Sequence, residues 1–251
     1  MLRFKTLGVV AMLTLGLGAC ATKTDGEGLA ASDPYENVNR SVHSVNVAAD
    51  QYFLRPTAQG YNFVTPTLFK QLIGNGFSHL DLVNDFANYL LQADVDRSLN
   101  TLGRFTLNTV VGAGGLLDPA SEFGLPKEST DFGLTLASYG VGEGVYLVVP
   151  FIGPSTTRDF AGFIVDRGLS PTVALGPLDV PGYVGPATTL LDFTHQRDRN
   201  ADLIDGVLYE SEDSYVTLRS AYLQRRRSLA GRDANVEDTL PDIFDDESNT
   251  N

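Results

Sequence analysis

From Pro66 to Gln92 the apolar residues Phe69, Ile73, Phe77, Leu80, Val83, Ala87 and Leu90 recur at three-to-four spacing. That period predicts one long amphipathic helix. Its other side carries Gln71, Asn75, Ser78, Asp81, Asp85, Asn88 and Gln92, a stripe that is polar but mostly uncharged. Helices that face water usually carry lysine and glutamate there. Two readings stand: a solvated helix face, or an amide-lined wet path inside an otherwise apolar protein.

The same pattern opens the body of the chain. Asp33 as N-cap, Pro34 at the first helical position and Glu36 two residues on predict a helix start. Tyr35, Val38, Val42, Val45, Ala49 and Phe53 then mark one face, Asn39, His43, Asn46 and Asp50 the other, and Pro56 ends the run. Asp94 caps a further helix over 95–111, which carries Val95, Leu99, Leu102, Phe105 and Val110 and stops at Gly112, Gly114 and Gly115. A helix pair over 155–166 and 198–229 completes a mainly α, single-domain chain with sparse strand signals.

Two stretches break the pattern. Residues 132–157 hold one charge, Glu143, and the run Val145 to Ile152, which is too short to cross about 30 Å of hydrocarbon. Gly140, Gly142 and Gly144 before it and Gly153-Pro154 after it predict a hairpin, either buried in the core or pressed against something greasy. Residues 169–191 carry only Asp179, and Pro171, Pro177, Pro181 and Pro186 forbid a straight membrane-crossing helix there. Irregular apolar chain, buried or interfacial, is the expectation.

The amino terminus carries an address. Arg3 and Lys5 precede an apolar stretch from Leu7 to Leu17, and Leu17-Gly18-Ala19-Cys20 ends it with the chain's only cysteine. This has the anatomy of a lipoprotein export signal, with 1–19 cleaved, Cys20 acylated and 20–32 a flexible leash to a body over 33–230. Several acyl chains make such a tether close to permanent. Ala21, in place of an aspartate that signals inner-membrane retention, favours the outer membrane. Removing Arg3 and Lys5 from the 18 basic residues leaves 16 against 31 acidic, a balance of −15, which excludes nucleic acid as a partner. Residues 231–251 gather Asp233, Glu237, Asp238, Asp242, Asp245, Asp246 and Glu247 and are expected to be a disordered acidic tail.

No motif supports catalysis, a metal site or a cofactor. His43, His79 and His195 lack metal-ligand spacing, and Asp198-Arg199-Asn200-Ala201-Asp202 starts like a calcium loop but has Leu203 where glycine is required. A hydrolase with Ser41 or Ser155 as nucleophile has no base at motif spacing.

The pattern is more specific than its parts. Ser32-Asp33-Pro34-Tyr35-Glu36-Asn37-Val38-Asn39-Arg40, Leu54-Arg55-Pro56, Arg104-Phe105-Thr106-Leu107-Asn108-Thr109, Gly112 to Asp118, Asp131 to Leu136, Tyr139-Gly140-Val141-Gly142, Pro150-Phe151, Gly153 to Asp159 and Arg219 to Arg225 together resemble the MlaA (VacJ) family of outer-membrane phospholipid-transport lipoproteins. The resemblance covers about residues 32–227. It implies a helical ring-like protein in the inner leaflet of the outer membrane, facing the periplasm, with an amphipathic channel through it. It also implies contact with a porin trimer, and removal of phospholipid mislocalised to the outer leaflet onto a periplasmic lipid-carrier protein. The hairpin at 138–154 matches the family's mobile loop beside the channel, which makes Gly140, Gly142, Gly144, Pro150 and Gly153 gate candidates. Periodicity adds Asn39, Asn46, Asn75 and Asn88 as candidate channel-lining residues. A structural lipoprotein that braces porins and moves nothing is the alternative.

Overall fold

The computed structural model describes residues 33–169 and 184–231. The leader, Cys20, the leash, Pro171, Pro177, Pro181 and the acidic tail beyond Gly231 lie outside those residues. Helix α1, Glu36–Ala49, passes through a π-helical turn, Asp50–Leu54, directly into α2, Arg55–Val64. Pro56 therefore does not end the run as its sequence predicts. The wider π turn immediately before it shifts the backbone hydrogen-bond register, so the missing proline N–H falls at a new first turn. The start differs too: Tyr35 is the N-cap residue, without a side-chain cap. The Asp33 carboxylate accepts instead from Asn39 Nδ2 at 2.9 Å and from the Tyr215 hydroxyl, because a buried tertiary partner outcompetes a local cap.

Helix α3, Thr67–Leu91, turns sharply at Ala93 (φ 58°) into α4, Val95–Val110, which Asp94 caps by accepting from the Arg97 amide at 2.9 Å. These two helices pack side by side. The glycine corner that follows is a steric necessity: a Cβ on Gly115 (φ 92°) would lie 2.2 Å from the His79 ring. Short helices α5, Pro119–Glu122, and α6, Phe132–Ser138, lead to an antiparallel hairpin of β1, Tyr146–Val149, and β2, Gly153–Thr156, with Val149 opposite Gly153. Helix α7, Thr157–Leu169, packs on α6.

Helix α8, Val184–Arg199, packs on α2 and α3 and occupies part of the stretch expected to be irregular. Pro186 is tolerated there because it sits in the first turn, where an N–H has no intrahelical partner. The predicted helix over 198–229 is broken into α9, Ala201–Asp205, a π-helical turn, Gly206–Glu210, and α10, Ser214–Ala230. Asp213 forces the last break by capping α10, its carboxylate accepting from the amides of Tyr215 and Val216.

The direction of the helix faces decides what surrounds them. On α4 the buried residues are Ser98, Thr101, Arg104 and Asn108, while Val95, Leu99 and Val110 are 64, 61 and 77 % exposed. On α3, Asp85 and Asn88 are buried and Phe69 and Leu90 are exposed. On α1, Asn39 and His43 face in and Val38 and Val45 face out. The polar stripes are thus buried at Asn39, His43, Asp50, Asp85 and Asn88, while Gln71 and Asp81 on α3 stay exposed. Those buried polar residues share the interior with the small apolar cluster of Tyr146, Val148, Tyr215 and Leu223. An outer surface so rich in exposed Leu, Val and Phe marks a face for contact with a membrane or another protein. Among the described residues no helix is long and apolar enough to cross a membrane.

Candidate functional site

Two asparagines on α1 hold the hairpin. Asn39 Oδ1 accepts from the Val148 amide at 2.9 Å, and its Nδ2 donates to the Tyr146 carbonyl at 3.1 Å. Asn46 repeats the motif one step along: Oδ1 accepts from the Phe151 amide at 2.8 Å and Nδ2 donates to the Val149 carbonyl at 3.0 Å. The register follows from geometry. Seven residues of α-helix advance roughly 10.5 Å, and three residues of strand advance roughly 10 Å. Asparagines two turns apart therefore reach the β1 edge at Tyr146 and Val148 and then the turn at Val149 and Phe151, pairing backbone groups that have no neighbouring strand there.

At its tip the hairpin closes one side of a cleft of about 330 Å³. The π turn after α1 contributes Phe53 and Leu54, α8 contributes Leu190 and Phe193, and Leu208 and Leu218 form the floor. Phe151, Phe53 and Phe193 are 72, 58 and 43 % exposed, so the cleft opens onto the apolar outer surface. The chain reverses at the tip through Phe151 (φ 62°) and Gly153 (φ 103°), and Gly140 and Gly144 also take positive φ upstream. Pro150 lies in the turn itself. Gly142 has open space around it.

Polar groups also border the cleft, and each is engaged elsewhere. His43 Nε2 is 2.8 Å from Ser214 Oγ, and burial lowers the affinity of the imidazole for a proton. Asp50 accepts from Arg197 Nε at 2.8 Å, Arg197 Nη2 at 3.1 Å and the Tyr209 hydroxyl at 2.7 Å. Burial and that carboxylate push the Tyr209 hydroxyl up to about 12. Arg197 reaches Asp205 as well, which in turn holds Arg55 at 2.7 Å. Sequence patterning missed Arg197, although the acids at 50 and 205, each adjoining a π turn, needed a buried cation.

The four asparagines chosen by periodicity do different work. Asn46 alone borders the cleft. Asn39 is 3 % exposed and Asn88 fully buried, so both are interior rather than wall residues. Asn88 Nδ2 donates to Asp166 at 2.9 Å and its Oδ1 accepts from Thr135 Oγ1 at 2.9 Å, tying α3 to α6 and α7. Beside it Asp85 accepts from the Thr130 amide at 2.9 Å, and burial raises its carboxyl to about 7. Asn75 Nδ2 donates to the Leu116 carbonyl at 3.0 Å, pinning the glycine corner, and lines a pocket too small for more than a water.

The serines weighed as nucleophiles have no histidine partner. Ser41 donates to the Asn37 carbonyl and Ser155 to the Thr156 carbonyl. His43 pairs with Ser214, but the adjacent Asp213 is committed to Arg40 and to the α10 cap. Asp198, first residue of the defective calcium loop, binds Lys70 at 2.8 Å.

Known proteins share this pattern. Residues 31–229 match the family model described as MlaA lipoprotein. The intermembrane phospholipid transport system lipoprotein MlaA of Escherichia coli is 35 % identical over 221 residues, covering 86 % of this chain and 85 % of that one. An uncharacterized protein of Rickettsia felis is 37 % identical over 198 residues, covering 78 % and 77 %. A solved structure described as the structural basis for maintenance of bacterial outer membrane lipid asymmetry superposes with a TM-score of 0.70 at 33 % identity, covering 80 % of this chain and 100 % of the other.

Proposed function

The chain belongs to the MlaA lipoprotein family, and on that premise we propose that it is the outer-membrane lipoprotein of an intermembrane phospholipid transport system that maintains outer-membrane lipid asymmetry. In this reading Cys20 carries the acyl anchor and the body lies in the inner leaflet facing the periplasm. A porin trimer flanks it, and phospholipid mislocalised to the outer leaflet passes through to a soluble carrier.

The observation that carries the reading is the inverted amphipathicity. Exposed apolar faces on α1, α3 and α4 suit immersion in hydrocarbon, while a hydrogen-bonded polar interior satisfies the groups that lipid cannot. Conduction needs no bond making. A route with both polar and apolar walls lowers the barrier for a molecule with a charged head and greasy tails.

Reconstitution of the acylated full chain with a trimeric porin and a periplasmic lipid carrier tests this. Phospholipid recovered on the carrier, dependent on the chain, is the expected result. A bare carrier, with no lipid co-purifying with the chain, would leave a porin-bracing lipoprotein as the surviving reading.

A further inference from the structure

We propose that the cleft under the hairpin tip is an acyl-chain pocket that receives one hydrocarbon tail of a membrane phospholipid sideways from the bilayer, and does not bind the headgroup. The proposal rests on the transport reading for its cargo and on the cleft for its chemistry.

Three observations select the occupant. The first is polarity. Every polar side chain at the cleft already has partners: Asn46 spends its amide on the hairpin backbone, Asp50 accepts from Arg197 and Tyr209, and His43 is joined to Ser214. Among the described residues that line the cleft there is no cation to meet a phosphate. What remains to meet a ligand is Leu and Phe side chain, which offers dispersion contact and nothing directional.

Size is the second. A dry cavity of about 150 Å³ takes benzene, six carbons, so about 330 Å³ takes roughly a dozen. That is the bulk of one chain, with the rest of the lipid left outside the open rim.

Access is the third. The rim residues Phe53, Phe151 and Phe193 belong both to the cleft and to the exposed apolar surface, so a tail moves from one apolar medium to another without meeting water. Phe151 is set on the rim by Asn46, through the bond to its amide. The hairpin tip is then the side of the pocket that must shift for the tail to leave.

Phospholipids carrying a diazirine near the middle of one acyl chain, mixed into phosphatidylethanolamine and phosphatidylglycerol vesicles with the acylated full chain, test the assignment. On irradiation, adducts are expected to concentrate on peptides holding Phe53, Phe151, Phe193 and Leu208. Leu208→Trp, which fills the floor, should lower that yield at least fivefold with an unchanged melting temperature. Leu218→Phe is the milder filling variant should the first fail to fold. Adducts spread evenly over Val95, Leu99 and Val110, or cleft adducts insensitive to filling, overturn the proposal. Cleft adducts without phospholipid on the carrier would sink the transport reading and leave the pocket standing. Normal delivery with no cleft adducts would do the reverse.

Discussion

Asn39 bonds three residues with one amide: Asp33 at the start of the body, and Tyr146 and Val148 in β1. Its replacement leaves buried backbone groups unpaired, each worth about 1–3 kcal/mol. Asn39→Ala should therefore lower stability by about 3 kcal/mol in chemical denaturation. Asn39→Asp should do worse, since it sets a carboxylate against both Asp33 and the Tyr146 carbonyl. Asp85 gives a pH signature. Its folded carboxyl titrates near 7, above an ordinary carboxyl, so the native state keeps a proton that the unfolded chain releases from about pH 4 upward. Stability from this group is fullest at low pH and declines as pH rises towards 7. Asp85→Asn keeps an acceptor for the Thr130 amide and should flatten that slope, with a gain on the order of 2 kcal/mol at pH 8. A pH slope as steep in the variant as in the parent would reject this account, since Asp81, which desolvation raises to about 6, leaves only a shallower one.

At the scale of elements, the sequence shows the stripes but not which way they point. Periodicity puts Val95, Leu99, Leu102 and Val110 on one side of α4, and the structure keeps them together but turns them outward, with Ser98, Thr101, Arg104 and Asn108 buried opposite. Whether the polar or the apolar side turns inward depends on the surrounding medium, which a helical period does not encode. Prolines misled for a related reason: Pro56 and Pro186 are tolerated by a π turn and a first turn, both set by tertiary context. The asparagine clips were visible as residues and invisible as contacts, since Asn46 and Val149 are 103 positions apart. Asn46→Ala should release the hairpin tip, read as faster hydrogen exchange at Phe151 with β1 still protected. Gly144→Ala should disturb the same hairpin from its base, because a Cβ there meets Thr157 Oγ1 at 1.9 Å and the backbone has φ 70°. A Cβ at Gly142 would meet no atom within 4 Å, and Gly142→Pro restricts backbone motion there. If hairpin movement gates lipid passage, that variant accumulates outer-leaflet phospholipid in cells. Normal lipid distribution would remove the gate.

Over the whole molecule, the exposed apolar faces make membrane association separable from folding. Leu99 and Val110 point outward on α4, so Leu99→Lys with Val110→Lys should sharply reduce vesicle binding of the unacylated chain. The interior is untouched, and the melting temperature in detergent should move little. Cys20→Ser should misplace the protein in cells more than it alters the fold.

The buried polar stripes also set how this fold responds to heat. The heat capacity of unfolding rises with apolar area newly exposed to water and falls with polar area. In detergent or bilayer, the outward leucines and valines stay in hydrocarbon before and after unfolding, while Arg104, Asn108, Asn88 and Asp50 newly meet solvent. Calorimetry in micelles should therefore give a heat-capacity increment well under the usual ~12 cal/mol/K per residue. The stability curve becomes shallow, and the protein holds nearly the same margin over a wide range of temperature.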